Sequence, residues 1–328
     1  MTYSDDDLDR LFRAADPAPL AARDSRPSAA DIAVRESILR GSPRSPRPRR
    51  TRALWTGMAT ATIAVAVTAI VAVDILSPAQ RALALPPPPL QYRAAPALAD
   101  VIESATARLT ELPDVAQRSS VRSIVWGWSV DMAEKRVEIV PQDITFRWAP
   151  GETATTTTVA ADPAWVDDLP AGVDPSPYEP GEVIDTVIIP PEDFALPAEV
   201  RNLGGSAPSE VEAALAAFGV SPQSSSGELL AAITGLLQYW TLDDAQHATL
   251  LDLLARADGV TVRGETTDRL GRDVIGLQVS SVIPERVETV LVSASTGRIV
   301  GMESELIAPL DGLPTGVISY TMWDVDGR

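Results

Sequence analysis

The sequence predicts an α+β protein: a single transmembrane helix, followed by an exported domain in which an antiparallel sheet packs against about four helices. Three observations lead to this class. Residues 53–73 form an uncharged run of 21 residues. Apolar residues alternate with period two in residues 121–159 and 260–325, as in strands, and follow helical spacing in residues 97–112 and 209–257.

The uncharged run predicts a membrane span over residues 53–76. As a helix, 21 residues rise about 31 Å, which is close to the hydrocarbon thickness of a bilayer. The net charge is +3 before the run and −21 after it. Basic flanks stay in the cytoplasm, and Trp55 suits the headgroup region. The sequence therefore predicts a single-pass protein of the cell membrane, with a cytoplasmic N-terminus and an external C-terminal domain. The arginines that set this topology are Arg44, Arg47, Arg49, Arg50 and Arg52.

A cleaved signal peptide is the alternative interpretation of the same stretch. Ala82-Leu83-Ala84 has the small-x-small form of a cleavage site. However, 52 residues precede the apolar run, and the run is longer than the usual signal core of about 7–15 residues. A retained anchor is therefore favoured.

The span divides the chain into a cytoplasmic tail (1–52), a transmembrane helix (53–76), a proline-rich stalk (77–95) and an external domain (96–328). In the tail, Leu8, Leu11, Phe12 and Ala15 share one face of a short helix. That face could dock on a cytoplasmic partner. A largely disordered tail is the simpler interpretation, because short isolated helices are marginally stable.

The external domain begins with a predicted helix over residues 97–112, followed by strands over 121–130, 137–148 and 152–159. Residues 162–197 are rich in proline and carboxylates and are predicted to be a loop. Carboxylates are calcium ligands, but their spacing here matches no EF-hand, so a solvated acidic loop is favoured.

Three helices are predicted next, each starting at a capping box, in which a Ser or Thr precedes an acidic residue by three positions. From residue 260 the period returns to two and predicts four or five antiparallel strands with glycine-containing turns. The three capping pairs are Ser209 with Glu212, Ser225 with Glu228, and Thr241 with Asp244.

The sequence shows no set of residues for catalysis, cofactor binding or metal binding. It contains no cysteine, and His247 is its single histidine. We expect His247 on the polar side of the third helix, beside Asp243. No Walker A, dinucleotide-binding, H-E-x-x-H or G-x-S-x-G motif is present. The acidic external domain argues against nucleic-acid binding, since phosphates would be repelled. A non-enzymatic protein is therefore expected.

Three C-terminal segments resemble a pattern in uncharacterised actinobacterial single-span membrane proteins, many of which look like neighbours of alternative sigma factors. The segments are Gly259-Val260-Thr261-Val262-Arg263-Gly264, Thr267-Asp268-Arg269-Leu270-Gly271-Arg272 and Ser295-Thr296-Gly297-Arg298-Ile299-Val300-Gly301. Here Ala294-Ser295 replaces the acidic residue that usually precedes the T-G-R turn. The resemblance implies a short tail that contacts a cytoplasmic regulator such as a sigma factor.

The order helix, strands, helices, strands is also similar to that of lipoprotein carriers and periplasmic sigma regulators. This second resemblance implies a curved half-barrel over an apolar groove. Two functions follow as hypotheses. The first is an anchored envelope protein with a sensing or scaffolding domain and an anti-sigma-like tail. The alternative is a membrane-tethered carrier or binding module for a lipid or other apolar ligand.

Overall fold

A computed structural model describes residues 87–112, 115–131, 136–139, 141–162, 178–309 and 315–325. The helices are α1 (Leu98–Glu111), α2 (Ala198–Arg201), α3 (Pro208–Ala217), α4 (Ser226–Leu237) and α5 (Asp244–Arg256). The strands are β1 (Ser120–Asp131), β2 (Arg136–Ile139), β3 (Gln142–Arg147), β4 (Ala154–Ala160), β5 (Val183–Ile189), β6 (Thr261–Thr267), β7 (Asp273–Ser280), β8 (Arg286–Ser293), β9 (Ile299–Leu306) and β10 (Gly316–Met322).

All ten strands belong to one antiparallel sheet, in the order β5-β4-β3-β1-β10-β9-β8-β7-β6, with β2 paired to the far half of β1. Each half of the chain forms a meander of neighbouring strands. The two meanders join at the centre, where β1 pairs with β10. The predicted α+β class with an antiparallel sheet and few helices is confirmed. Within the described residues the sheet is open, with β5 and β6 as its edges.

The two faces of the sheet differ because side chains alternate along each strand. Val121 in β1 points to the helices and belongs to the main core, which includes residues from α1, α3, α4 and α5. Trp126 points to the opposite side, here called the outer face, and stacks on its cross-strand partner Tyr320 with ring centroids 5.9 Å apart. A smaller apolar cluster surrounds this pair.

Two predictions about the N-terminal meander need correction. The predicted strand over residues 137–148 is divided into β2 and β3, with Pro141 at the break. Proline has no N–H to donate to a ladder. The predicted loop over residues 162–197 contains β5, which pairs with β4. The β-branched run in β5 was hidden among prolines and carboxylates.

Helix starts differ from the prediction in two of three cases. Ser225 caps α4 in a complete capping box with Glu228, as expected. The helix α3 instead begins at Pro208, without a side-chain cap, so that Ser209 lies inside its first turn. The capping box of α5 is formed by Asp243 and Gln246 rather than by Thr241 and Asp244.

Residues 87–93 lie across the outer face of the sheet and are called the strap. The carbonyl of Pro88 accepts a hydrogen bond of 3.0 Å from Arg269. The Leu90 side chain packs on the outer cluster, and the Leu90 backbone approaches Glu303 in β9. The N–H of Arg93 donates to the carbonyl of Glu265 in β6 across 2.8 Å. The strap therefore crosses the sheet from β9 to β6.

A slot made by two glycines holds the strap. Gly264 and Gly276 face each other on β6 and β7. A Cβ at Gly276 would lie 2.5 Å from Cε1 of Tyr92, and one at Gly264 would lie 2.1 Å from the carbonyl oxygen of Arg93. Both positions must lack a side chain for the strap to lie this close. The strap falls within the predicted stalk (77–95), so this part of the predicted stalk packs against the sheet.

The predicted tail, the predicted span and residues 77–86 of the predicted stalk lie outside the described residues. Within the described part of the chain, no helix has the length and apolarity to cross a bilayer.

Candidate functional site

The helix-facing side of the sheet is filled in one part and half open in another. In the filled part, Leu236 of α4 and the strand residues Leu277 and Val290 are completely buried in one cluster. Burial of this kind contributes about 1.5–3 kcal/mol for each large side chain. This part of the sheet has the packing of an ordinary core.

The half-open part follows a row of cross-strand partners on the central strands. Met302 pairs with Thr321, Thr321 with Val125, and Val125 with Gln142. The row is on the helix-facing side because Met302 also pairs with the buried Val290. All four side chains in it are half-buried. Central strands have neighbours on both sides, so this exposure means that the helices leave the row partly uncovered.

Helix α4 borders this row. Thr234 donates its hydroxyl to the sulfur of Met302 at 3.6 Å and is itself half-buried. Two residues before Val125 on the same face of β1, Ser123 pairs with Ile144 of β3, and both side chains are half-buried. These seven side chains define what is called the groove: Ser123, Val125, Gln142, Ile144, Thr234, Met302 and Thr321. They are uncharged, and they combine methyl and thioether surface with hydroxyl and amide groups, as in sites for apolar ligands.

An aromatic cluster packs on the helix-facing side of the sheet beside the groove. The Trp148 and Trp240 rings meet edge to face with centroids 4.8 Å apart. Each indole N–H is satisfied by a backbone carbonyl, that of Tyr239 at 2.7 Å and that of Val200 at 2.8 Å. Burial raises the pKa of the Tyr239 phenol. Interlocked rings with satisfied polar atoms form a rigid wall.

A buried ionic cluster lies where α5 meets the start of β9. Arg298 is 3% exposed; it donates to Asp244 at 3.1 Å and to the carbonyl of Leu242 at 2.6 Å. Its Nε lies 3.6 Å from a carboxylate oxygen of Asp324. A buried charge is tolerated only when it is paired and hydrogen-bonded. The cluster therefore fixes α5 to the sheet.

His247 lies inside this cluster, so its predicted position on the polar surface is wrong. The side chain is 2% exposed. His247 precedes Leu250, Leu251 and Leu254 by three, four and seven positions, which places it on their buried face. Burial, and then the charge of Arg298, lower its pKa well below the ordinary value. Asp243 caps the helix instead of pairing with the ring.

Two small cavities adjoin the ionic cluster. One encloses about 20 Å³ and is lined by residues that include His247, Arg298 and Trp323. The other encloses about 60 Å³ between Arg118, Arg122 and neighbouring residues. A cavity of 10–15 Å³ holds about one water molecule, so the first suits a single water and neither suits a lipid chain.

The remaining predicted site residues are outside the described part of the chain. These are the proposed docking face and the topology-determining residues: Leu8, Leu11, Phe12, Ala15, Arg44, Arg47, Arg49, Arg50, Arg52 and Trp55. Among the described residues, no group of three or more His, Asp or Glu could hold a metal ion. Sequence reasoning did not identify the residues of the groove, because half-burial on a central strand leaves no mark in a period-two pattern.

No protein-family model and no curated protein matches the chain. Among solved structures, it is similar to a DUF1329 family protein from Desulfovibrio piger, with 12% identity over 69% of this chain and 91% of that one, at a TM-score of 0.21. It is also similar to a LolA superfamily protein from Nitrosomonas europaea, with 10% identity over 70% and 92% and a TM-score of 0.18.

A third similar structure is an outer membrane lipoprotein-sorting protein domain from Vibrio parahaemolyticus, with 9% identity over 69% and 91% and a TM-score of 0.20. Such identities and TM-scores do not assign this chain to any of their families.

Proposed function

We propose that this chain is a non-enzymatic, membrane-tethered binding module that holds an apolar ligand, such as a lipid acyl chain, in the groove. The observation that carries the proposal is the half-burial of Val125, Met302 and Thr321 on the central strands, beside a fully packed core. An uncovered apolar strip costs free energy in water, roughly 25 cal/mol for each Å². A ligand that covers it removes that cost.

The chemistry of the groove favours an apolar ligand over a polar one. Its seven side chains carry no charge, whereas the nearby charged groups are engaged in ion pairs, as Arg298 is with Asp244. A ligand chain could therefore bind by contact and desolvation, with Gln142 and the hydroxyl groups available for a polar end.

Photo-cross-linking tests this function. The full chain in lipid nanodiscs would be irradiated with a fatty acid that carries a diazirine, and the labelled peptides would be mapped by mass spectrometry. Labels are expected in β1, β9 and β10. Val125→Trp should fill the groove and reduce labelling several-fold. Thr186→Trp, at an exposed position on the outer face of β5, should leave it unchanged. Equal labelling in both variants would overturn the proposal.

The tether and the tail belong to the same proposal. The run over residues 53–76 would anchor the chain with the domain outside, and Leu8, Leu11 and Phe12 would contact a cytoplasmic regulator such as a sigma factor. A pull-down with residues 1–52, compared with its Leu11→Asp variant, tests the contact. Recovery of no sigma factor by the unaltered tail would refute that part.

A further inference from the structure

The strap determines where the chain leaves the described domain. Pro87 is buried, Pro88 is held over the outer face by its hydrogen bond from Arg269, and Leu90 is held there by packing on the outer cluster. The exit point is therefore on the side opposite to the helices.

The connection from that point to the proposed span is short. Residues 77–86 join Pro87 to the end of the span at residue 76. Ten residues reach at most about 36 Å when fully extended. Passing from β9 around the β6 edge would use about 14 Å. Passing beyond the helix layer would use a further ~10–15 Å. Turning the helices toward the bilayer would thus use most of the length that residues 77–86 can span.

Charge favours the same orientation. Among the described side chains of the outer face, four arginines stand against three carboxylates, and several of them are paired, as Arg122 is with Asp143 at 2.6 Å. The five helices carry nine Asp and Glu and three Arg. An anionic membrane surface repels the helix layer more strongly than the outer face. The outer-face charges are Arg122, Arg147, Arg263 and Arg269 with Asp143, Glu303 and Glu305.

We propose that the outer face of the sheet is the surface that lies toward the lipid bilayer, and that the groove opens away from it. The inference rests on the membrane tether proposed above and adds a direction to it. The groove would then exchange its ligand with the aqueous side of the envelope rather than with the membrane that carries the anchor.

Energy transfer to the bilayer surface tests the orientation. The chain has no cysteine, so Thr186→Cys and Thr110→Cys each introduce one thiol for a donor dye. Both threonines are exposed, Thr186 on the outer face of β5 and Thr110 on α1. The full chain would be inserted into nanodiscs of phosphatidylcholine and phosphatidylglycerol that contain an acceptor lipid. Transfer from position 186 is expected to exceed transfer from position 110.

A strap variant supplies the second comparison. Leu90→Ala with Tyr92→Ala empties the slot without adding atoms to the sheet, and should reduce the difference between the two donor positions. In the protein with the unaltered strap, transfer from position 186 that is equal to or lower than transfer from position 110 would overturn the orientation. An unchanged difference in the strap variant would overturn the role of the strap. Failure of the full chain to enter nanodiscs would overturn the tether and the orientation together, whereas loss of groove labelling alone leaves the orientation standing.

Discussion

The backbone N–H of Ile299 donates to Nδ1 of His247 across 3.2 Å, and this bond joins the first turn of α5 to the start of β9. Arg298 presents a second donor, 3.3 Å from Nε2. A protonated imidazole would offer N–H groups to both donors. A neutral imidazole accepts at one ring nitrogen only, so Nε2 keeps its proton when Nδ1 accepts from Ile299. The hydrogen bond from Ile299 therefore requires the neutral form of this histidine.

The first prediction is a loss of stability as the pH falls below the ordinary histidine pKa of about 6.5. The pKa of His247 is lowered in the folded protein, so the unfolded chain binds the proton first. The free energy of unfolding contributed by this group is complete above pH 6.5 and declines below it by up to about 1.4 kcal/mol per pH unit.

Two buried carboxyl groups act in the opposite direction and must be separated from this effect. Burial raises the pKa of Glu288 and of Glu303, so the folded protein binds their protons first as the pH falls. Urea unfolding of the parent and of His247→Asn, followed by tryptophan fluorescence at several pH values, isolates the histidine. The two curves should converge toward acid pH, and parallel curves would contradict the prediction.

The second prediction concerns the ion pair of Arg298. Arg298→Met leaves Asp244 buried without its cation, and should lower the free energy of unfolding by about 3–5 kcal/mol. The matched control is Arg256→Met. Its pair with Asp252 is exposed, at 61% and 63%, so a loss of under about 1 kcal/mol is expected. Urea midpoints measure both, and similar losses would refute the structural role of the cluster.

The third prediction compares two serines that the sequence presents in the same way. Ser225 accepts the N–H of Glu228 and caps α4, whereas Ser209 is exposed within the first turn of α3. Ser225→Ala should cost about 1 kcal/mol, and Ser209→Ala about zero. Thermal unfolding under identical conditions distinguishes them. A larger effect at position 209 would contradict the helix start at Pro208.

The fourth prediction tests the glycine slot. Gly276→Ala would place a methyl group against Tyr92 and should cost about 1–3 kcal/mol through overpacking. Gly204→Ala is the control, because its nearest neighbour is 3.7 Å from the added Cβ. In a Tyr92→Ala background, the Gly276→Ala cost should largely disappear. A cost that persists there would mean that the slot is not what the glycine provides.

Most features recorded by a repeating pattern of residues were predicted correctly, whereas several features set by one or two residues were not. The C-terminal strands and the apolar faces of α3, α4 and α5 were predictable, since periodicity records burial directly. The cap of α3 was not, because a proline one position earlier starts the helix equally well. His247 was misplaced because it was assigned to the surface as a polar residue, although its spacing from Leu250 and Leu254 puts it on their buried face.

The candidate site was beyond the reach of local patterns. Val125 and Thr321 meet only because β1 pairs with β10, and no periodicity specifies which distant strands pair. Gly264 and Gly276 suggest a close backbone approach in retrospect. Their partner, the strap, resembles a linker in sequence because its contacts are made largely through backbone groups and the side chains of Leu90 and Tyr92.

The central pairing of β1 with β10 also has a consequence for the order of folding. Each meander can form from short connections, but their junction closes a loop that spans most of the described chain, which is slow and entropically costly. In the described part of the chain, β10 is synthesised after the other nine strands, and it is the strand that joins the two halves. Until it arrives, β1 and β9 each present an unpaired edge, and we expect chains truncated before β10 to aggregate.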